Sequence, residues 1–257
     1  MSTEAEYTLT ISLETLRHLG IGLYSNIPAV LSETVANAYD ADATEVTIDI
    51  DSTNRVIVIT DNGWGMSKDD INNKYLRVGY EKRKQETRLT EGRTPKGRSP
   101  MGRKGIGKLA LFSIADTVEV HSAKQLENGD IEKAGFVMTV KDIQDCIKTN
   151  AEYHPVPVND VLILQGTRIE LRDLRLSPDT TAPFLRRKLS RRFSIIGSDT
   201  GFDVKIDNEA IGVDDREYFR NVEFLWYFGD YSDRYKNWAS NSTHQVSKDG
   251  IVDVEQN

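Results

Sequence analysis

The chain has 257 residues, of which 38% are hydrophobic and 28% charged, with a net charge of −7, a composition typical of a soluble globular protein. This length is sufficient for one large domain or two small ones. The chain has no apolar run long enough to span a membrane, and its first ten residues lack the features of a signal peptide, so we expect a cytoplasmic protein without membrane contact. Cys146 is the only cysteine, so an internal disulfide and a cysteine-based zinc cluster are excluded. We expect its side chain to be a small, buried hydrophobic group.

The pattern of apolar and β-branched residues predicts both helices and strands. In chain order these are a helix at 27–39, a hairpin at 45–51 and 55–60, helices at 67–76 and 109–115, strands at 118–122, 136–140, 168–171 and 202–206, and a helix at 180–196. Ser67 is the predicted N-cap of the second helix, with Asp69 and Asp70 in its first turn. Together the elements predict a two-layer α/β sandwich, in which a mixed, largely antiparallel sheet carries its helices on one face.

Three short motifs follow one another along this pattern. Glu-x-x-x-Asn at 33–37 puts a carboxylate and an amide on one face of the first helix. Asp-x-Gly-x-Gly at 61–65 places a second carboxylate at a strand end, before glycines that permit a sharp turn. The glycine-rich segment 102–108 opens a helix, where free backbone N–H groups suit phosphate oxygens.

In this order and spacing, the motifs resemble those of the superfamily named for gyrase, the ninety-kilodalton heat-shock chaperone, histidine kinases and MutL (GHKL). The segment ETVANAYDADAT at 33–44 is most similar to the MutL and MORC form of the first motif. The resemblance covers about residues 9–210 and implies the Bergerat ATP-binding fold, with ATP and magnesium as ligands. It further implies an ATP-binding domain at 1–215 with a lid at about 77–104, followed at 216–257 by an extension or a linker to a transducer domain.

The resemblance assigns the first helix to the phosphate end of the nucleotide. It implies that Glu33 polarises the water that attacks the γ-phosphate and that Asn37 supplies an amide oxygen to magnesium. It also implies that Asp40 contacts the nucleotide. Magnesium prefers hard oxygen ligands and keeps several waters, so a single protein ligand is consistent with its chemistry.

The second motif is assigned to adenine. A carboxylate accepts a hydrogen bond from an exocyclic amine but repels a carbonyl oxygen, so Asp61 can select adenine over guanine. Gly63 and Gly65 are expected to let the backbone approach the base, and Met66 to form a polarizable wall. The resemblance implies that the Thr167 hydroxyl helps to hold Asp61 and a water.

The glycine loop is expected to contact the phosphates. The residues concerned are Lys104, Gly105, Ile106, Gly107 and Lys108, and which of the two lysines points inward stays open. The loop also fits the P-loop pattern and a dinucleotide fingerprint, but no predicted strand leads into it. Moreover, Leu109 stands where a P-loop has its magnesium-binding Ser or Thr.

Two segments are strongly basic although the whole chain is acidic. Between residues 77 and 104 there are ten Lys or Arg against three Glu, together with glycine and proline breakers. This composition fits a solvated mobile loop and equally an ATP lid that becomes ordered around a triphosphate. The basic helix at 180–196 is expected to present a solvated face, with a nucleic-acid contact as the alternative.

The functions compatible with these motifs are of three classes. We expect a weak ATPase that forms an ATP-dependent homodimer, acts as a clamp in DNA-associated or defence-related work, and reaches DNA or a protein client through a downstream domain. The alternatives are a chaperone ATPase of the heat-shock type and a nucleotide-gated binding module with negligible hydrolysis. A histidine kinase is disfavoured, because the 32 residues before Glu33 are too few for its phospho-acceptor hairpin. Related ATPases take a lysine for the γ-phosphate from a second domain.

Overall fold

The computed structural model describes most of the chain from residue 27 onward. The described residues are 27–77, 90, 92–101, 107–149, 151–175, 177, 181–193, 195–196, 201–213, 215–216, 223–226, 244–247 and 250–253. Within these ranges no helix has the length and the apolar character that a membrane crossing requires.

Eight strands form one mixed sheet. They are β1 (Glu45–Asp51), β2 (Val56–Asp61), β3 (Ala115–Gln125), β4 (Ile131–Thr139), β5 (Val156–Pro157), β6 (Gly166–Leu174), β7 (Asp203–Ile206) and β8 (Glu209–Ala210). Their order across the sheet is β5-β4-β3-β6-β2-β1-β7-β8. All neighbours are antiparallel except β1 and β7, which are parallel. The predicted mixed, largely antiparallel sheet is confirmed.

The helices differ more from the prediction than the strands do. They are α1 (Ile27–Asp40), α2 (Lys68–Asp70) continued by a π-helix (Ile71–Tyr75), a 3₁₀-helix (Gly107–Ser113), α3 (Val140–Thr149) and α4 (Thr181–Arg192). The sequence did not predict α3. This helix begins directly after β4, where the Thr139 hydroxyl accepts a hydrogen bond from the backbone N–H of Asp142 at 3.0 Å and so caps its first turn.

One face of the sheet is apolar and carries the helices. Alternate residues of the central strands are buried on it, including Ile57, Ile59, Val118, Val120, Ile169 and Leu171. They share one hydrophobic cluster with Leu31 and Val35 of α1, Leu111 of the 3₁₀-helix and Leu185 and Leu189 of α4. Helices on the buried face of a sheet make the two-layer α/β sandwich that the sequence predicted.

The opposite face of the sheet is charged. Arg172 of β6 forms ion pairs with Glu119 and Glu170, and Arg168 pairs with Glu170 at 2.6 Å. The Nε2 atom of His121 lies 2.8 Å from Glu119. Since one face is apolar and the other ionic, a shift of one residue in any strand would exchange them, and the register is therefore strongly specified.

A second, three-stranded sheet lies near the C-terminus, where the sequence predicted an extension or a linker. Its strands are β9 (Phe224–Trp226), β10 (His244–Ser247) and β11 (Gly250–Asp253), in the order β11-β10-β9. β10 is antiparallel to β11 and parallel to β9.

Candidate functional site

A row of polar residues ends the apolar face of the sheet. Asp61 of β2 is directly opposite Thr167 of β6, which in turn is directly opposite Ser122 of β3. Directly opposed residues point to the same side of a sheet, so all three continue the rows that are aliphatic further along the strands. The structure therefore brings together Asp61 and Thr167, which are 106 positions apart in the sequence.

Ser122 is a member of this row that the sequence analysis missed. Its buried hydroxyl accepts a hydrogen bond from the backbone N–H of Met66 at 2.7 Å and donates one to the carbonyl of Gly166 at 3.1 Å. It thus joins the segment after Asp61 to the start of β6. No sequence motif marks this serine, which follows a run rich in β-branched residues. Only the register of three neighbouring strands shows that it belongs to the row.

The turn after Asp61 packs against the end of α1. The Oδ1 atom of Asp61 accepts a hydrogen bond from the Gly63 N–H at 2.8 Å, and the Trp64 N–H donates to the Ala41 carbonyl at 3.0 Å. Asn62 points to the other side, where its Oδ1 accepts from the N–H groups of Thr44 and Glu45. The second motif is therefore fixed to the first, and the carboxylate of Asp61 lies beside the C-terminal end of α1.

Two glycines permit close backbone packing around Asp61. A Cβ atom on Gly65, which has φ of +66°, would lie 2.0 Å from the Ala123 carbonyl oxygen. A Cβ atom on Gly166, with φ of +85°, would lie 2.0 Å from the carbonyl oxygen of Asp61 itself. Close contacts between backbone segments therefore already require glycine at both positions, without any contact to a nucleotide base.

The segment that follows Met66 is anchored to the sheet by Asp70. Ser67 and Asp70 form a capping box, in which each side chain bonds the other residue's backbone N–H. Asp70 also pairs with Lys124 of β3 and, at 2.8 Å, with Lys74. Burial by itself raises the pKa of Asp70, but the two ammonium groups and the Ser67 hydrogen bonds hold that pKa well below its usual range. The segment from Met66 to Asp70 is therefore held at its start by Ser122 and at its end by this ionic anchor, and the partly buried side chain of Met66 packs against the core.

The residues assigned to the phosphate end lie on α1 and are more open. Glu33 is half-buried, and its Oε1 atom accepts a hydrogen bond from Nη2 of Arg192, at the end of α4, at 2.5 Å. Asn37 is exposed one turn further along the helix. A carboxylate and an amide oxygen thus stand on one accessible part of α1, while Val35 between them is buried in the core.

Asp40 and Asp42 at the end of α1 hold the segment 92–101. Asp40 is buried and accepts a hydrogen bond from the Met101 N–H at 2.6 Å. Asp42, which is also buried, accepts from the Thr94 hydroxyl at 2.5 Å and from the Lys96 N–H at 3.1 Å. In this structure Asp40 contacts the protein, and its predicted contact with nucleotide stays a prediction.

Arg98 strengthens the same attachment. Its guanidinium donates to the carbonyls of Ala43 at 2.6 Å and Gly201 at 3.0 Å, and it lies 4.5 Å from the centre of the Tyr39 ring and 5.4 Å from that of Phe202. Lys96 also donates to the Asp42 carbonyl, at 2.9 Å. Lys96 and Arg98, which the sequence predicted to surround a triphosphate, are therefore bound within the protein.

The glycine loop is described only in part. Lys104, Gly105 and Ile106 lie outside the described residues, whereas Gly107 and Lys108 begin the 3₁₀-helix. In the described part of the chain no group of three or more His, Cys, Asp or Glu side chains could hold a metal ion. This donor set is compatible with magnesium that is held mainly by phosphate oxygens and a single protein amide.

Comparison with known proteins relates this site to a nucleotide-binding family. The chain is 44% identical over 239 residues to a putative type II restriction enzyme, HgiDII, of Herpetosiphon aurantiacus. The match covers 92% of this chain but 37% of that protein, so the chain spans little more than a third of its relative's length. The family described as histidine kinase-, DNA gyrase B-, and HSP90-like ATPase matches residues 24–156, which include both α1 and the turn after Asp61. The chain belongs to this family of GHKL-type ATPases.

Proposed function

We propose that the chain binds ATP with magnesium, hydrolyses it slowly and selects adenine through Asp61. The observation that carries the proposal is the polar row of Asp61, Thr167 and Ser122 at the end of an otherwise apolar sheet face. Such a row offers a flat nucleotide base an apolar surface to pack against, together with one anionic hydrogen-bond acceptor. The Ser122 hydroxyl donates to the Gly166 carbonyl. We assign recognition of the exocyclic amine of adenine to the Asp61 carboxylate, because a carboxylate accepts a hydrogen bond from an amine and repels a carbonyl oxygen.

The chemistry at the other end is proposed for α1 and the glycine loop. Glu33 orients and polarises a water in line with the γ-phosphate, which is the task of a general base or positioning group in such reactions. The backbone N–H groups of residues 105–107 bind phosphate oxygens, with Lys104 or Lys108 as added positive charge. Asn37 would hold magnesium, which when bound neutralises charge on the phosphate oxygens.

The biological setting is proposed from the relative. Because that protein is named a putative restriction enzyme, we infer that this ATPase module works with DNA, in a nucleotide-gated homodimer resembling the MutL and MORC clamps. Contact with DNA or a protein client would then come from a downstream domain, as would the γ-phosphate lysine. A cytoplasmic location agrees with the single free cysteine, Cys146.

Calorimetric titration with magnesium–ATP and magnesium–GTP tests the adenine assignment. The parent chain should prefer ATP, and Asp61→Asn should weaken ATP binding by about 1.5–3 kcal/mol, the range for a hydrogen bond to a charged group. Asp49→Asn, the same change on an exposed residue of β1, should leave the affinity unaltered. Equal affinities for ATP and GTP in the parent chain would refute base selection by Asp61. Binding without any turnover would identify a nucleotide-gated module instead of an ATPase.

A further inference from the structure

The ion pair between Glu33 and Arg192 joins two helices that are far apart in the sequence. The Oε1 atom of Glu33 lies 2.5 Å from Nη2 of Arg192, and the side chains are 25% and 46% exposed, respectively. Among the described residues no other hydrogen bond to the Glu33 carboxylate is formed. The contact therefore engages one carboxylate oxygen and leaves Oε2 available to a water.

The position of Arg192 follows from how α4 packs. Leu185, Leu189 and Phe193 are buried at a spacing of four residues and form the stripe that faces the core. Arg192 lies three residues after Leu189 and immediately before Phe193, so it emerges at the margin of that stripe. A long side chain at such a margin can follow the apolar surface and place its guanidinium at the rim of the core.

Residues after β7 hold α4 in place at its last turn and at its middle. The buried Arg216 donates to the carbonyls of Ser190 at 3.1 Å and Ile196 at 2.8 Å, which fixes the last turn of the helix. In the middle of the helix, Arg186 donates to the carbonyls of Glu209 and Ala210 at 3.0 Å and 2.6 Å. The backbone that carries Arg192 is therefore well anchored even though the guanidinium itself is half-exposed.

Such a contact can do two things for a carboxylate beside a triphosphate. It restricts the rotamers of a flexible glutamate, and reacting groups must be held within a fraction of an ångström for efficient catalysis. It also engages one carboxylate oxygen, Oε1, so that the lone pairs of Oε2 can accept a hydrogen bond from a water. As an ion pair near the surface it adds little to stability, so stability alone does not explain it.

We propose that Arg192 is the positioning residue for Glu33: it holds Oε1 and orients Oε2 toward the attacking water. This role rests on the function proposed for Glu33 in ATP hydrolysis. It also gives the basic helix α4 a task within the chain, distinct from the solvated face or nucleic-acid contact that its sequence suggested. In this role Arg192 touches neither the nucleotide nor the water and acts through Glu33 alone.

Single-turnover hydrolysis and ATP affinity, measured on the whole chain, test the proposal. Arg192→Ala should lower the hydrolytic rate constant by about 10- to 100-fold, the cost of a misplaced reacting group. ATP affinity should change by less than about twofold, because the interaction is made through Glu33 and not with bound substrate. Arg192→Lys should recover part of the rate. Lys188→Ala removes the same charge from an exposed position of α4 and should hydrolyse at the parent rate.

A double-variant comparison separates this role from the proposed function. Glu33→Gln should be slower by about 100-fold or more, and adding Arg192→Ala to it should slow it no further. A parent-like rate for Glu33→Gln would overturn the proposed function. A slow Glu33→Gln beside a parent-like Arg192→Ala would overturn the positioning role alone, as would a rate effect of Arg192→Ala that persists undiminished in the Glu33→Gln background. If Arg192→Ala does not fold, Arg192→Gln, which keeps a polar side chain but removes the charge and the guanidinium, takes its place with the same expected result.

Discussion

At the Asp61 end of the candidate site the polar groups bind one another, whereas at the Glu33 end the side chains are more accessible to solvent and make fewer contacts. Around Asp61, hydrogen bonds of 2.7–3.1 Å and glycine contacts join three strands and the end of α1. At the other end, Asn37 is exposed and Glu33 is held by one ion pair from a second helix.

This difference suggests how the two parts of a nucleotide are handled. A base is flat and uncharged, and a rigid site recognises it at little entropic cost. A triphosphate carries several charges and has to be enclosed when it reacts, so the groups around it are best completed by the ligand itself. We therefore expect substitutions at the Asp61 end to affect folding and base choice, and those at the Glu33 end to affect turnover and loop closure.

The largest effect on stability is expected from Gly166→Ala, which disrupts close backbone packing at the Asp61 end. The new methyl group would meet backbone atoms of Asp61 and Asn62 at 2.0–2.9 Å, where no side-chain adjustment can relieve the overlap. We expect a loss of about 4 kcal/mol or more in the free energy of unfolding, measured by urea denaturation.

Gly129→Ala is the matched control. Gly129 has a similar φ of +89°, but a Cβ atom there would have no neighbour within 4 Å. Its cost should be about 1–2 kcal/mol, which is the strain of a left-handed residue alone. Equal losses for the two variants would show that close packing at Gly166 contributes nothing.

An intermediate effect is expected from Asp70→Asn, which weakens the anchor of the Met66 segment. Loss of the capping box and of the ion pairs with Lys124 and Lys74 should cost about 1 kcal/mol or more at neutral pH. Asp69→Asn, a neighbouring exposed position, should cost less. Because the pKa of Asp70 is lower in the folded protein, its contribution is present above about pH 4 and is lost as the pH falls further. A stability difference between parent and variant that persists undiminished in strong acid would contradict this assignment.

The smallest effect is expected for protease cleavage in segment 92–101, which lies between the Asp61 end and the Glu33 end of the site. The sequence predicted a mobile lid over the whole of 77–104, but Lys96 and Arg98 are bound to the end of α1. In limited trypsin digestion, bonds after these two residues should resist cleavage even without nucleotide. A non-hydrolysable ATP analogue with magnesium should then protect mainly the other basic positions of the lid.

The variant Asp42→Asn checks the cause of that resistance. It removes a charged acceptor from Thr94 and from the Lys96 N–H, and cleavage after Lys96 should become faster. Rapid cleavage after Lys96 in the parent chain would show that the segment is not held by α1.

Local features of the structure could be predicted from the sequence, and contacts between distant residues could not. The helix at 27–39 and the hairpin that follows were predicted nearly to the residue, because their patterns lie within one element. The fold class and the family followed from three local motifs whose order is informative. By contrast, α3 has two buried side chains, Val140 and Ile143, too few to distinguish it from an extension of β4.

The same limit applies to the site. Asp61 and Thr167 were linked by family resemblance, and the strand register places them opposite each other. Ser122 and Arg192 were not assigned to the site, because their contacts depend on strand pairing and on helix packing across 44 and 159 residues. The charge count in the lid treated Lys96 and Arg98 as equivalent to their neighbours, although Lys96 is bound to Asp42 and Arg98 to the carbonyls of Tyr39 and Ala43, at and just after the end of α1.

Arg98 also has a consequence for the order in which the protein folds. Its guanidinium connects residues that are 55 and 103 positions away, whereas the β1–β2 hairpin closes within a few residues. Closing such long loops is entropically costly until the sheet has formed, so this connection is expected to be made late in folding. Interactions that form after the transition state slow unfolding without accelerating folding. Arg98 should therefore lengthen the lifetime of the folded chain while leaving the rate at which it is reached nearly unchanged.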